Sequence, residues 1–241
     1  MAELEGKVAL VTGAARGLGE SVLRTLCRHG AHVVGADIRE ALLAEVVAET
    51  KQSGGRAEGL PMDVTVDRDV ERVLGSVLER HGRLDILVNN AAVDHTLPVE
   101  DLSVPQFDQI LDTNLRGAFL MCQRAVPTLK RQGHGTIVNV ISTAGLRVWP
   151  NASAYHASKW GLLGFTHALN REMREHNVRV TALVSGGMRT PFITERFPGI
   201  DVDTLQDPQL VADALLFAVS LPPSTHIPEL VISPMRDMSF P

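Results

Sequence analysis

Short aliphatic runs alternate with longer helical patterns along the whole chain, and no other feature restricts the fold as much. Lys7–Thr12, Ala31–Ala36, Ala57–Pro61, Asp85–Val88, Thr136–Ile141, Val178–Val184 and Glu229–Ser233 read as strands. Val, Leu, Ile and Ala dominate them, as strands covered on both faces require. Between them, Gly17–His29, Arg39–Ser53, Val66–His81, Pro105–Lys130, Ser153–His176 and Pro208–Leu221 carry helical patterns. The first two stop at glycine, and Pro127 is expected to kink the long fourth one. Strand and helix in strict turn predict an α/β fold: a doubly wound parallel sheet of about seven strands with right-handed crossovers and helices on both faces.

No linker, repeat or low-complexity tract interrupts the 241 residues, so one domain over 1–241 is expected, with 190–209 as a short substrate-side loop. The apolar fraction is 44% but the aromatic fraction only 4%, which predicts an aliphatic core. A formal net charge of −5 without a long basic run argues against nucleic acid as the main partner. No segment is apolar enough to span a bilayer, and the polar stretch Met1–Lys7 has no signal-peptide core. Cys27 and Cys122 sit in apolar helical patterns without metal-ligand neighbours, so they read as reduced core thiols. A cytoplasmic protein with no membrane partner is expected.

The turn after the first strand runs Thr12-Gly13-Ala14-Ala15-Arg16-Gly17-Leu18-Gly19. Glycines spaced G-x-x-x-G-x-G at a helix start let backbone approach a pyrophosphate, with free N–H groups and the positive helix end behind it. A tight strand-to-helix turn needing positive φ would use glycine too. Its place between first strand and first helix favours a cofactor loop. At the end of the second strand, Asp37 can accept both adenosine-ribose hydroxyls and repel a 2′-phosphate, which predicts NAD over NADP. It could equally cap the helix beginning near Arg39. Arg16 and Arg39 are the counter-argument, since either could reach a phosphate.

Tyr155 is the single tyrosine of the chain, and Lys159 stands one helical turn later on the same face. A phenol with a pKa near 10 is a poor base at neutral pH, but a neighbouring ammonium and an oxidised nicotinamide would favour its phenolate. Lowering it by two or three units takes about 1.4 kcal/mol each. Tyr155 is then expected to give a proton to a carbonyl, or take one from an alcohol, as hydride moves. In isolation the pair would read as a helix-start tyrosine beside a solvated lysine.

With these motifs in order, the chain resembles the short-chain dehydrogenase/reductase family over nearly its whole length. Thr12–Gly19 is similar to that family's cofactor turn and Tyr155–Lys159 to its Y-x-x-x-K motif. The resemblance implies a single-domain Rossmann-type fold, NAD as cofactor and a small alcohol or ketone as substrate. It implies that Ser142 orients the substrate, that Asn114 supports a water-mediated proton path to Lys159, and that Tyr155 and Lys159 also contact the cofactor. Asp63-Val64 resembles the adenine-contacting pair, Asn89-Asn90-Ala91-Ala92 the stretch after the fourth strand, and Ser185–Thr190, with Met188 and Thr190, the loop beside the nicotinamide. The cofactor-binding set is therefore Gly13, Arg16, Gly17, Leu18, Gly19, Asp37, Asp63, Val64, Asn90, Tyr155, Lys159, Met188 and Thr190. Taken singly, Ser142 reads as a strand-end cap, Asn114 as a hydrogen bonder at a helix bend, Asp63 as a turn former and Asn89-Asn90 as a solvated loop.

The chain departs from the family's pattern at Ala92, where a glycine is usual, at Ser185, where proline is common and whose absence is expected to loosen the loop, and in its C-terminal ending. Asp94, His95, Leu146, Arg147, Trp149, Met188, Phe192, Ile193 and Phe197 are expected around the substrate, and no cluster has metal-ligand spacing. An epimerase or dehydratase would need a substrate subdomain for which Thr190–Gln209 leaves no room. A methyltransferase would leave Tyr155, Lys159 and Ser142 unexplained, and an NAD-responsive binding protein would not need them. Ala157, Gly161, Gly164 and Ala168 lie along one face, with Trp160, Leu163 and Phe165 beside them, which predicts close packing against the chain's own sheet or a neighbouring helix. The resemblance implies the neighbouring helix, in a homotetramer in which this helix and the long helix around 114–129 pair across two-fold axes.

Overall fold

Val8–Thr12 (β1) is buried along its whole length, because both of its faces are covered. Ala9 and Val11 join a cluster with Leu18, Val22, Leu43 and Leu215 on one side of the sheet. Val8 and Leu10 join a second with Val73, Leu74, Met121 and Leu169 on the other. Successive strand residues point to opposite faces, so a strand serving two cores is apolar at every position. Truncating a fully buried residue such as Leu10 to Ala would cost about 2–5 kcal/mol.

The computed structural model describes residues 4–236; the first three residues of the polar N-terminal stretch lie outside them. The other strands are β2 (His32–Asp37), β3 (Arg56–Pro61), β4 (Ile86–Asn89), β5 (Gly135–Ser142), β6 (Val178–Ser185) and β7 (Glu229–Ile232). They form one parallel seven-stranded sheet in the order β3-β2-β1-β4-β5-β6-β7, the predicted doubly wound arrangement. Helices α1 (Gly17–Arg28), α2 (Glu40–Gln52), α3 (Asp67–His81), α4 (Val104–Leu111), α5 (Ala118–Gln132), α6 (Ser153–Met173), α7 (Pro191–Thr194) and α8 (Pro208–Val219) connect and flank them. Strand order reverses between β1 and β4, which opens a crevice at their carboxyl ends.

The long helix differs from its expected form. Its irregularity is a π-helical segment, Asp112–Gly117, joining α4 to α5, rather than a break at Pro127, which lies inside α5. A Cβ on Gly117 would stand 2.8 Å from the Val64 side chain, and Asn114 in the same segment is drawn onto the loop after β4. Local packing, not proline, sets where this helix widens. The 190–209 stretch also holds more structure than a loop, with α7 and a 3₁₀ turn at Val202–Thr204. Among the described residues no helix is long and apolar enough to cross a membrane.

Candidate active site

One cavity of about 980 Å³ lies over the carboxyl ends of the strands, large enough for a cofactor and a small substrate. Gly13, Arg16, Gly17 and Leu18 form part of its wall. The N-cap position of α1, Arg16, makes no side-chain cap, so the helix start offers its backbone N–H groups to the cavity. Gly13 and Gly17 have φ of +66° and +62°. Gly19 lies behind the wall, where its Cβ would come within 2.0 Å of the Gly13 carbonyl oxygen. A Cβ on Gly13 would meet Ala91 Cα and Asn90 Nδ2, each at 2.9 Å. These glycines are required by packing within the protein, and room for phosphates follows from the turn they permit.

Asn90 clamps that turn, donating through Nδ2 to the carbonyls of Thr12 (3.0 Å) and Gly13 (3.1 Å). Asn89 is not in a solvated loop: it is buried and donates to Asn139 Oδ1 at 2.8 Å. Asn139 in turn donates to Thr166 Oγ1.

Asp37 is 5% exposed and lines the cavity. Its Oδ2 accepts from the Ala15 N–H at 3.0 Å and its Oδ1 from the Arg39 N–H at 2.9 Å. It therefore pins the glycine turn and the approach to α2 while keeping acceptor capacity toward the cavity. Arg39 stands beside it, with Nη1 3.7 Å from Oδ1. Arg16 is committed elsewhere, paired with Glu195 at 2.6 Å. Asp63 and Val64 continue the same wall. Asp63 also fixes its own turn, accepting from the Thr65 N–H and hydroxyl.

At the far end, Ser142, Tyr155 and Lys159 share the wall. Ser142 closes β5 and Tyr155 lies in the first turn of α6. Burial pushes the Tyr155 phenol up to about 12, against the hydrogen bond to Ser142, with Asp94 raising it and Arg196 lowering it. Lys159 is not among the groups that set this value, and lowering it falls to the lysine and an oxidised nicotinamide acting together. The lysine is 2% exposed, lies 5.7 Å from the ring centroid and donates from Nζ to the Val140 carbonyl at 2.8 Å. Burial lowers its own pKa to about 8, against the pull of Asp94. Ser142 also accepts from the Ala144 N–H at 3.1 Å, so it caps the strand end and faces the cavity at once.

Asn114 lies behind this group, off the cavity wall. Its Oδ1 accepts from the Val93 N–H (2.8 Å), and Nδ2 donates to the Val93 carbonyl (2.9 Å) and to Ser158 Oγ (3.1 Å). Ser158 donates to the Tyr155 carbonyl at 2.7 Å. The loop after β4 is thus tied to the tyrosine turn of α6 through two buried side chains. The sequence reading gave no role to Ser158.

Met188 and Thr190, in the loop after β6, also line the cavity. Ser185 does not loosen it. Gln206, another residue without a sequence signal, donates to Ser185 Oγ (3.3 Å), and its backbone bonds both Gly187 and Arg189. Asp94, Trp149, Phe192, Ile193 and Phe197 line the cavity with Ser142 and Tyr155, whereas His95, Leu146 and Arg147 lie off the wall. His156 is buried against Trp149, its ring nitrogens bonded to the Ala144 carbonyl and the Trp149 backbone. Arg196 and Asp94 form an ion pair across this end.

The residues present fit a dinucleotide. An uncapped helix start, a buried carboxylate and a tyrosine–lysine pair succeed one another along one cavity. Comparison with known proteins agrees with this. The short chain dehydrogenase family profile matches residues 7–200. The chain is 37% identical over 223 residues to trans-4-hydroxycyclohexanecarboxylate dehydrogenase of Sinomonas cyclohexanicum, covering 89% of this chain and 86% of that one. Among solved structures, 3-ketoacyl-(acyl-carrier-protein) reductase from Brucella melitensis complexed with NADH is similar at TM-score 0.89 and 32% identity, over 97% of this chain and 99% of that one. An alcohol dehydrogenase from Thermococcus sibiricus complexed with 5-hydroxy-NADP is similar at TM-score 0.89 and 28% identity, over 96% and 97%.

Proposed function

The chain belongs to the short-chain dehydrogenase family, and from that premise we propose that it is an NAD(H)-dependent oxidoreductase interconverting a small secondary alcohol and its ketone. The observation that carries this reading is Tyr155 beside Ser142 and Lys159, at one end of a cavity whose other end holds Asp37. Bound nicotinamide supplies or takes the hydride. The proton falls to the chain's own groups: Tyr155 Oη gives it to the carbonyl oxygen, or takes it from the alcohol, while the Ser142 hydroxyl holds that oxygen. Lys159 Nζ would hold the cofactor's ribose, and Asn114 keeps Val93 and Ser158 in place around the proton path. With the phenol at about 12, proton donation is ready as the site stands. Alcohol oxidation near pH 8 requires its phenolate to be favoured by about 6 kcal/mol, at about 1.4 kcal/mol for each of four pH units.

Asp37 supports NAD as the cofactor, since its buried carboxylate opposes a 2′-phosphate and Arg16 is already paired. Two exposed apolar faces support a homotetramer with two kinds of two-fold contact: Phe119 with Trp160, and Leu210 with Phe217. The two buried, unpaired cysteines suit a cytoplasmic protein. The test is NADH and NADPH oxidation against a ketone panel, followed by absorbance, with the reverse reaction on the alcohols. Turnover with NADH at higher kcat/KM than with NADPH is expected. No turnover with either cofactor would remove the reading, and an NADPH preference would transfer the phosphate-side role to Arg39.

A further inference from the structure

His32, Glu58 and His81 meet at the opposite end of the sheet from the cavity. β2 runs from His32 to Asp37, so the residue that begins the strand is remote from the one that faces the cofactor cleft. Val34 pairs with Glu58 in the β2–β3 register, which puts His32 and Glu58 diagonally adjacent on one face. On that face α3 packs through Val70, Val73, Leu74 and Val77. His81 is the last residue of α3 and is stopped there by Gly82 in the left-handed conformation.

We propose that these three side chains bind one divalent cation of the zinc class, through His32 Nε2, Glu58 Oε1 and His81 Nε2, with water completing the shell. Their spacing is that of a ligand set. Glu58 Oε1 lies 2.8 Å from His32 Nε2 and 3.3 Å from His81 Nε2, and the three ligand atoms lie within 4.8 Å of one another. Metal–ligand bonds of about 2.0 Å set tetrahedral ligands about 3.3 Å apart. His81 Nε2 is buried and makes no hydrogen bond, a nitrogen lone pair that a cation would satisfy. The other carboxylate oxygen, Oε2, is held by Arg80 at 2.8 Å, which leaves Oε1 as the ligand atom and orients the group, as supporting partners of metal ligands do. Two imidazoles and one carboxylate suit zinc and its neighbours over calcium or magnesium, which favour all-oxygen sites. Side-chain exposures of 29%, 24% and 13% give an ion a path in. Bound there, it would fasten the end of α3 to the strands at the sheet edge.

The experiment is calorimetric titration of the metal-stripped chain with zinc chloride, repeated with cobalt(II) and read by absorbance. One saturable equivalent of zinc is expected, together with the intense visible bands of four-coordinate cobalt and a higher melting temperature when zinc is present. His81→Gln and Glu58→Gln should each weaken zinc binding by at least about tenfold, and His32→Gln with His81→Gln should abolish the single equivalent. Cooperative melting of the metal-free variants shows that they are folded. Should one fail to fold, the cobalt spectrum of the unaltered chain decides. Absence of a saturable equivalent, an aquo-type cobalt spectrum, or zinc affinity indifferent to His81→Gln would each overturn the site and leave a His32–Glu58 hydrogen bond with His81 beside it.

Discussion

Arg196, in the segment after β6, forms an ion pair with Asp94, in the loop after β4, and joins the two sides of the substrate end of the cavity. Arg196 also donates from Nε to the Phe192 carbonyl at 2.6 Å and lies over the Phe192 ring, 3.9 Å from its centroid. Asp94 accepts from Thr96 through Oδ2, while its Oδ1 is buried without a hydrogen-bond partner. Arg196→Ala would leave that carboxylate buried and unpaired, so a loss of about 3 kcal/mol is expected. Arg196→Ala with Asp94→Ala should lose less than Arg196→Ala alone, because the uncompensated charge goes too. Urea midpoints of the single and double variants check this. Additive losses would mean that the pair does not couple the two loops.

Tyr155→Phe should lower turnover by about a hundredfold or more, the range that a lost general acid commands. The phenyl ring keeps its packing against Phe192, 6.0 Å away between centroids, so NADH affinity should change little. Single-turnover rates and NADH fluorescence titration separate the two. His156 does not stand in for the lost proton carrier, because its ring is held by Ala144 and Trp149. Activity within tenfold of the unaltered chain would displace Tyr155 from its role.

What could be read from the sequence was local. Uninterrupted apolar strands gave the parallel sheet, and one helical turn between Tyr155 and Lys159 put them on one face. The wall residues Gly13, Asp37 and Ser142 all stand at strand ends, where motif position and topology coincide. Contacts between distant segments carry no local signal. Asp94 and Arg196 meet only because two loops leave the same end of the sheet. Asn114 reaches Val93 and Ser158 through a π-helical turn that no periodicity announces. The spacing of Gly161 and Gly164 does not say which packs within the chain: a Cβ on Gly161 would meet Leu115 at 3.0 Å, since the widened segment packs against it. The burial that raises the tyrosine pKa likewise depends on the whole cavity and carries no local signal.

Lys159 sets function against stability. Burial lowers its pKa from 10.5 to about 8 in the folded chain. Below about pH 8 both states carry the charge, and the folded state bears the full cost of burying it. Between about pH 8 and 10.5 the unfolded chain holds more protons on this group, so its contribution to stability rises with pH. Lys159→Met removes the buried charge, worth on the order of 3 kcal/mol, and loses the bond to Val140, worth about 1 kcal/mol. The variant should therefore be inactive yet more stable by about 2 kcal/mol near pH 7, with the difference shrinking toward about pH 10. Denaturant unfolding of both chains at the two pH values tests this; a variant less stable near pH 7 would contradict the burial cost.

Gly164 gives the assembly a sharp test. It lies in the interior of α6 on an exposed face, and a Cβ there would meet nothing within 4 Å in the single chain. Glycine at such a position costs about 1 kcal/mol relative to alanine, an expense that close approach of a second helix would offset. Trp160 on the same helix is 51% exposed, and Phe119 of α5, 41% exposed, stacks edge-on with Phe165 at 6.0 Å. Together they form an apolar surface around the glycine. The 241-residue chain of 26.1 kDa should therefore scatter light as a particle of about four chains. Gly164→Leu should shift it toward smaller species, because the added side chain fills the space a neighbouring helix needs, while the single chain itself has room for it. A fully active monomer, or a tetramer untouched by Gly164→Leu, would show that this face is not the contact.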